Sequence, residues 1–107
     1  MRRIAIVSPY RGKRAVLRAN VAYLHRCIKD VLTKGDAPYA AHAYLPLVLD
    51  DTNAEEREQG IQAGQAWLEQ AELIAVYVDR GVSPGMQKDL AFARSKNIPI
   101  EIRSLSV

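Results

Sequence analysis

The chain has 107 residues, 49% of them hydrophobic and 25% charged, with a formal net charge of +3. This length predicts one domain, residues 1–107, with a core of its own and little room for a second. The sequence has no run of about 18 apolar residues, so we expect no membrane-spanning helix. Its single cysteine excludes an intramolecular disulfide and is typical of a reducing, cytoplasmic setting.

The first third of the chain predicts a strand followed by a long helix. The apolar run Ile4–Ser8 ends at Pro9 and is too short for a signal peptide, so we interpret it as the first strand. Apolar residues then recur at helical spacing over about 13–33, and Gly35 supplies the stop. Cys27 lies in this apolar stripe, so we interpret it as a small core residue rather than a nucleophile.

The middle of the chain predicts a second strand over 38–45, closed by Pro46, and then a second helix. Thr52 and, three residues later, Glu55 predict a capping box at the start of this helix, which is expected to end near Gln70. The side chains predicted to face inward are Ile61, Gly64, Trp67, Leu68 and Ala71.

The last third predicts a strand, a helix and a final strand. Residues 73–78 are the most apolar run and predict a strand buried on both faces. Ser83 is a good N-cap and Pro84 suits the first helical position, which predicts a helix over about 85–96. Residues 98–102 predict the last strand. The inward residues expected from the third helix are Met86, Leu90 and Ala93.

Strand and helix alternate along the whole chain, which predicts an α/β fold. We expect a three-layer, flavodoxin/Rossmann-like domain in which helices flank a small parallel sheet. Right-handed connections place the first and third strands side by side in the middle. The loops 8–12 and 79–85 then follow the carboxyl ends of these two strands, where such folds bind ligands.

Several familiar motifs are absent from the sequence. It contains no G-x-G-x-x-G, no P-loop, no G-x-S-x-G and no Cys/His cluster with metal-ligand spacing, so we predict neither a cofactor nor a metal. Basic residues are frequent near the N-terminus, but they lack interleaved aromatic residues and a recognition motif, which disfavours nucleic acid as the partner. A small phosphorylated ligand needs only one or two of these cations.

Four short stretches resemble the nucleoside 2-deoxyribosyltransferase superfamily. Within it, the chain is most similar to the 2′-deoxynucleoside 5′-phosphate N-hydrolase branch and its small bacterial and phage relatives. The resemblance follows the order of the chain and rests on Ser8–Gly12, Ala41–Ala43, Gly64–Ala71 and Ser83–Ala91.

The resemblance implies a role for particular residues. The acid four residues after the glycine of the Ser-x-Gly turn is the family's nucleophile, and here it is Asp89. The first loop is implied to bind the sugar and a 5′-phosphate, the Ser-x-Gly turn to contribute to phosphate binding, and a histidine to lie near the pocket. The implied substrate-binding residues, with the adjoining methionine included, are Ser8, Tyr10, Arg11, Gly12, His42, Ser83, Gly85 and Met86.

The implied activity is hydrolysis or transfer at the N-glycosidic bond of a nucleoside or its 5′-monophosphate, by a homo-oligomer without membrane association. Two departures from the family favour an alternative, a non-catalytic nucleotide-binding module that senses or sequesters its ligand. Asp89 is one methylene shorter than the family's glutamate, and Gly64 stands where the N-hydrolases have an aspartate.

The residues themselves leave simpler interpretations open. Asp89 is equally compatible with a surface acid on a helix, and Arg11 with a solvated turn. Tyr10 and His42 are each compatible with structural packing. The pair Asp50–Asp51 is typical of a solvated turn, but it could also close over the pocket from the end of the second strand.

Overall fold

A computed structural model describes residues 1–105 of the protein. The strands are β1 (Arg3–Val7), β2 (Ala37–Tyr39), β3 (Leu73–Tyr77) and β4 (Ile100–Arg103). The helices are α1 (Arg14–Thr33), α2 (Ala54–Leu68) and α3 (Pro84–Ser95), and 3₁₀ turns lie at Ala41–Ala43 and Leu45–Leu47. No helix among the described residues is long and apolar enough to cross a membrane.

The four strands form one parallel sheet in the order β2-β1-β3-β4. Ala5 of β1 lies opposite Ile74 of β3 on one side and Tyr39 of β2 on the other. The predicted α/β fold with β1 and β3 at its centre is therefore confirmed. The loops after these two strands leave the sheet at the same edge.

Alternate residues of the central strands build the two halves of the core. Ile4 and Ile6 of β1 pack with α1, while Ala5 and Val7 pack with α2 and α3 on the other face. This alternation is what a strand requires when helices cover both faces of its sheet. Cys27 of α1 is fully buried against the sheet, as predicted.

The second strand is shorter than predicted. β2 ends at Tyr39, and backbone bonds from Ala43 N to Ala40 O and from Tyr44 N to Ala41 O turn the chain away from the sheet. As an edge strand, β2 has one neighbour only, so a single ladder holds it in extended form. His42 consequently lies in a 3₁₀ turn, and its predicted position on a strand is wrong.

The start and the buried side of α2 also differ from the prediction. Asn53, not Thr52, is the N-cap, and its side chain accepts bonds from the backbone N–H groups of Glu55 and Glu56. Trp67 is 57% exposed, so the prediction of a core tryptophan is wrong. The buried residues of α2 are Gly64 and Leu68, and Ile61 is 40% exposed.

The start of α3 agrees with the prediction. The Ser83 hydroxyl accepts a bond from the Met86 backbone N–H at 3.2 Å, and Pro84 occupies the first helical position. Met86, Leu90 and Ala93 are buried and hold α3 against the sheet. This packing fixes the rotation of the helix, and with it the direction in which the neighbouring Asp89 points.

Candidate functional site

A cleft opens at the carboxyl edge of the sheet, over β1 and toward β2. Its walls come from the end of β1, the chain from Tyr39 into the first 3₁₀ turn, and one side each of α1, α2 and α3. The residues that line it are Ile6, Val7, Ser8, Leu24, Tyr39, Ala40, Ala41, His42, Gly64, Leu68 and Asp89. Three of the predicted site residues, Ser8, His42 and Asp89, thus meet in one cleft.

The cleft encloses little volume and is open to solvent. Its cavity volume is about 30 Å³, whereas the empty space counted out into the open solvent is about 400 Å³. Since one water molecule needs roughly 10–15 Å³ of cavity volume, the enclosed volume of the cleft admits only a few waters. A ligand as large as a nucleoside has to occupy the open part.

Asp89 is the carboxylate in this cleft, and it has no partner. The residue is half-buried, and among residues 1–105 its carboxylate accepts no hydrogen bond and forms no ion pair. Burial raises the pKa of Asp89 to about 6, from an ordinary value of 3.8. Desolvation without compensating bonds is costly for a charged group, so an acid of this kind is unusual unless it has a function.

Gly64 faces the same cleft from α2. A Cβ atom built at this position would lie 3.6 Å from the Cβ atom of Ala41, an ordinary contact, so a side chain would extend from here into the cleft. Glycine therefore leaves space beside Asp89, and no second carboxylate lines the described part of the cleft.

The ring of Tyr10 packs on the ring of His42, which lines the cleft, and we call this side of the cleft its mouth. The rings of Tyr10 and His42 lie with their centroids 4.6 Å apart and tilted by 34°. His42 is exposed as a residue, yet the protein around its ring lowers the pKa of the imidazole, chiefly by desolvation. The carboxylate of Asp51 opposes this shift and the guanidinium of Arg11 adds to it, so both charges lie near the ring.

Tyr39 also lines the cleft and contacts two further aromatic side chains, Trp67 and Tyr44. Tyr39, which lines the cleft, stacks on Trp67 with ring centroids 5.6 Å apart, and its hydroxyl lies 3.3 Å from that of Tyr44. Burial raises the pKa of Tyr39, with further contributions from Tyr44 and from the carboxylate of Asp89. Sequence reasoning missed Tyr39. Its position two residues before the first 3₁₀ turn became informative only once the strand was known to end there.

The Ser-x-Gly turn lies away from this cleft. The Ser83 side chain caps α3, Gly85 is exposed, and Met86 is 2% exposed within the core, so none of these three lines the cleft. Gly12 is exposed in the first loop, and a Cβ atom there would collide with the side chain of Val16. Glycine at this position lets the chain enter α1.

A buried amide ties the two central loops together. Asn20 of α1 is 3% exposed; its Nδ2 donates to the backbone oxygen of Tyr10 at 3.1 Å. Its Oδ1 accepts a bond of 2.8 Å from Nε of Arg80. The loops after β1 and β3 are thereby held in a fixed relation. A polar residue at a core-facing helical position was the signal for Asn20 in the sequence.

No group of three or more metal-binding side chains occurs within residues 1–105, and the residues of the cleft supply a single carboxylate and a single imidazole. The arrangement suits a polar organic ligand bound beside an acid.

Comparison with solved structures identifies the class of the fold. Eight chains match, among them a 2-deoxyribosyltransferase from the psychrotolerant bacterium Bacillus psychrosaccharolyticus. The TM-score is 0.69 at 14% sequence identity, and the alignment covers 95% of this chain and 72% of that one. The protein therefore has a 2-deoxyribosyltransferase-like α/β fold.

The family follows from the sequence model that matches residues 2–103, described as "Domain of unknown function (DUF7768)". The chain belongs to this family. A search of the curated proteins finds no match.

Proposed function

We propose that the protein cleaves or exchanges the N-glycosidic bond of a nucleoside or nucleotide, with Asp89 as the reacting carboxylate. The observation that carries the proposal is the half-buried, unpartnered acid in a cleft at the carboxyl edge of the sheet. The similarity in fold to a 2-deoxyribosyltransferase supports it, as does the resemblance of the Ser-x-Gly stretch to that superfamily.

The chemistry fits a lone carboxylate. When the bond between the anomeric carbon and the base nitrogen breaks, the electron pair leaves with the base and positive charge develops on the sugar. A carboxylate beside that carbon stabilises the charge or forms a covalent bond to it. Attack by water then completes hydrolysis, whereas attack by the nitrogen of a second base completes transfer.

The raised pKa is compatible with this role. With a pKa of about 6, Asp89 is mostly ionised at neutral pH and is available as a nucleophile or an electrostatic stabiliser. Because no group within residues 1–105 donates a hydrogen bond to it, it has more to gain from a developing positive charge than an acid with protein donors would.

A second function, ligand binding without catalysis, is favoured by one feature of the cleft. The space beside Gly64 holds no second carboxylate to orient the sugar or to protonate the leaving base. In this alternative, the protein senses or sequesters a nucleotide, and Asp89 is part of the binding surface. Self-association remains an expectation from the resemblance.

The two functions are separated by assaying released base. The protein is incubated with 2′-deoxynucleosides and their 5′-monophosphates, each alone and with a second base, and the products are separated by chromatography. We expect release or exchange that falls by about 100-fold or more in Asp89→Asn, because the substitution removes the charge and keeps the shape.

Glu58→Gln is the matched control, because Glu58 is an exposed acid on α2 that does not line the cleft. It should retain the wild-type rate. Binding without release in the wild-type protein would establish the sensing function instead, and an unchanged rate in Asp89→Asn would exclude Asp89 as the reacting group.

A further inference from the structure

An ion pair between Arg11 and Asp51 joins the loop after β1 to the loop before α2. Nε of Arg11 lies 3.0 Å from Oδ2 of Asp51, and its Nη2 donates to Oδ1 at 3.2 Å. The guanidinium thus meets the carboxylate through two parallel contacts, the geometry in which arginine binds carboxylates and phosphates alike. Asp51 therefore occupies one of the two edges of the guanidinium through which Arg11 could bind a phosphate.

This pair lies close to the cleft. Arg11 follows Tyr10, whose ring packs on His42, and His42 lines the cleft together with Asp89. The opposite effects of Arg11 and Asp51 on the imidazole of His42 place both charges near the same ring. The pair is therefore next to His42, at one side of the cleft that also contains Asp89.

The charges around the cleft do not favour an anion. The described residues that line it include a carboxylate but no lysine or arginine. A phosphate bound by Arg11 would either displace Asp51 from the Nε edge of the guanidinium or bind through Nη1 beside the Asp51 carboxylate, and in both positions it would meet a like charge. Both side chains are more than half exposed, 63% and 53%, so solvent weakens the pair without removing this competition.

We propose that Asp51 is a specificity-determining residue that holds Arg11 and thereby disfavours ligands with a phosphate at the mouth of the cleft. The ligand class it selects, an unphosphorylated nucleoside rather than its 5′-monophosphate, rests on the proposed function. Removing the charge of Asp51 would free Arg11 and would also remove a like charge near the phosphate. Each change should raise phosphate affinity modestly, because the site is exposed. Together they should change phosphate affinity by about five- to tenfold.

The test measures binding of inorganic phosphate and of a 2′-deoxynucleoside separately, by NMR titration of backbone amides. In Asp51→Asn, phosphate affinity at the mouth should rise by about five- to tenfold, while nucleoside affinity stays unchanged. Adding Arg11→Gln to this variant should abolish the gain, because the freed guanidinium is the group that binds phosphate.

Asp50→Asn is the matched control. Asp50 carries the same charge one residue earlier, but its carboxylate accepts bonds from Thr52 and does not contact Arg11. An equal gain in Asp50→Asn, or no gain in Asp51→Asn, would overturn the proposal. The phosphate titration decides the role of Asp51, and the assay of released base decides the proposed function, so the failure of one is distinguishable from the failure of the other.

Discussion

Two aspartates have opposite surroundings: Asp79 lies in the loop between β3 and α3, and Asp89 lies within α3. Asp79 is exposed, yet its carboxylate accepts bonds from the hydroxyl groups of Tyr23 and Ser104 and from the backbone N–H of Leu105. Asp89 is less exposed, yet within residues 1–105 it accepts none. The more hydrated acid is the one with protein partners.

The hydrogen bonds of Asp79 give it a structural role that Asp89 does not have. The bonds of Asp79 tie the end of β3 to α1 and to the chain after β4, which is what a structural acid does. Asp89 gains no such stabilisation, and its burial disfavours the charged form. An acid under these conditions lowers stability, which is consistent with the role proposed for Asp89.

The largest effect on stability is expected at Asp79. Asp79→Ala removes every acceptor of this carboxylate and leaves the hydroxyl of Tyr23, a residue only 4% exposed, without that partner. The free energy of unfolding should fall by about 2–4 kcal/mol, as expected for several lost bonds to a charged group. Urea denaturation followed by circular dichroism measures the change. An unaltered unfolding midpoint would show that the Asp79 bonds contribute nothing to stability.

A smaller effect of opposite sign is expected at Asp89. The folded-state pKa of Asp89, about 6, exceeds the ordinary 3.8, so burial favours the protonated acid. The contribution of Asp89 to stability is therefore fully present below pH 3.8 and is lost as the pH rises through 6. Asp89→Asn carries no charge and escapes this loss. At neutral pH it should be more stable than the wild type by about 1–2 kcal/mol, after allowance for partial exposure.

The same comparison made across a pH series provides the control. The stability of Asp89→Asn should approach that of the wild type below about pH 4, where Asp89 is protonated in both states. A variant that is equally stable or less stable at neutral pH would mean that Asp89 has favourable partners in solution, and the contrast with Asp79 would not hold.

The layered fold could be predicted because it depends on periodicity. The buried run of β3, the apolar stripe of α1 and the Ser83 cap are local signals, and each was found in the structure. Chain alternation and crossover handedness then placed β1 and β3 at the centre. The errors at His42 and Trp67 arose at the edge of the sheet, where neighbouring elements decide how far a strand extends and which side of a helix is covered.

The site was less accessible to sequence reasoning. The resemblance selected Asp89, but only the packing of α3 shows that its carboxylate is half-buried and unpartnered. The sequence left Asp51 between a solvated turn and a residue that closes over the pocket. The structure shows an exposed Asp51 paired with Arg11, in a contact between positions 40 residues apart. Such long-range pairs leave no periodic signal.

The central claim is that Asp89 is an unpartnered acid facing the ligand. Carbon-detected NMR titration of side-chain carboxyl groups tests it most directly, with Asp89 assigned by the resonance that disappears in Asp89→Asn. We expect a midpoint of about 6 and a shift of this resonance when a 2′-deoxynucleoside is added. A midpoint near 3.8 that does not respond to the nucleoside would contradict the claim.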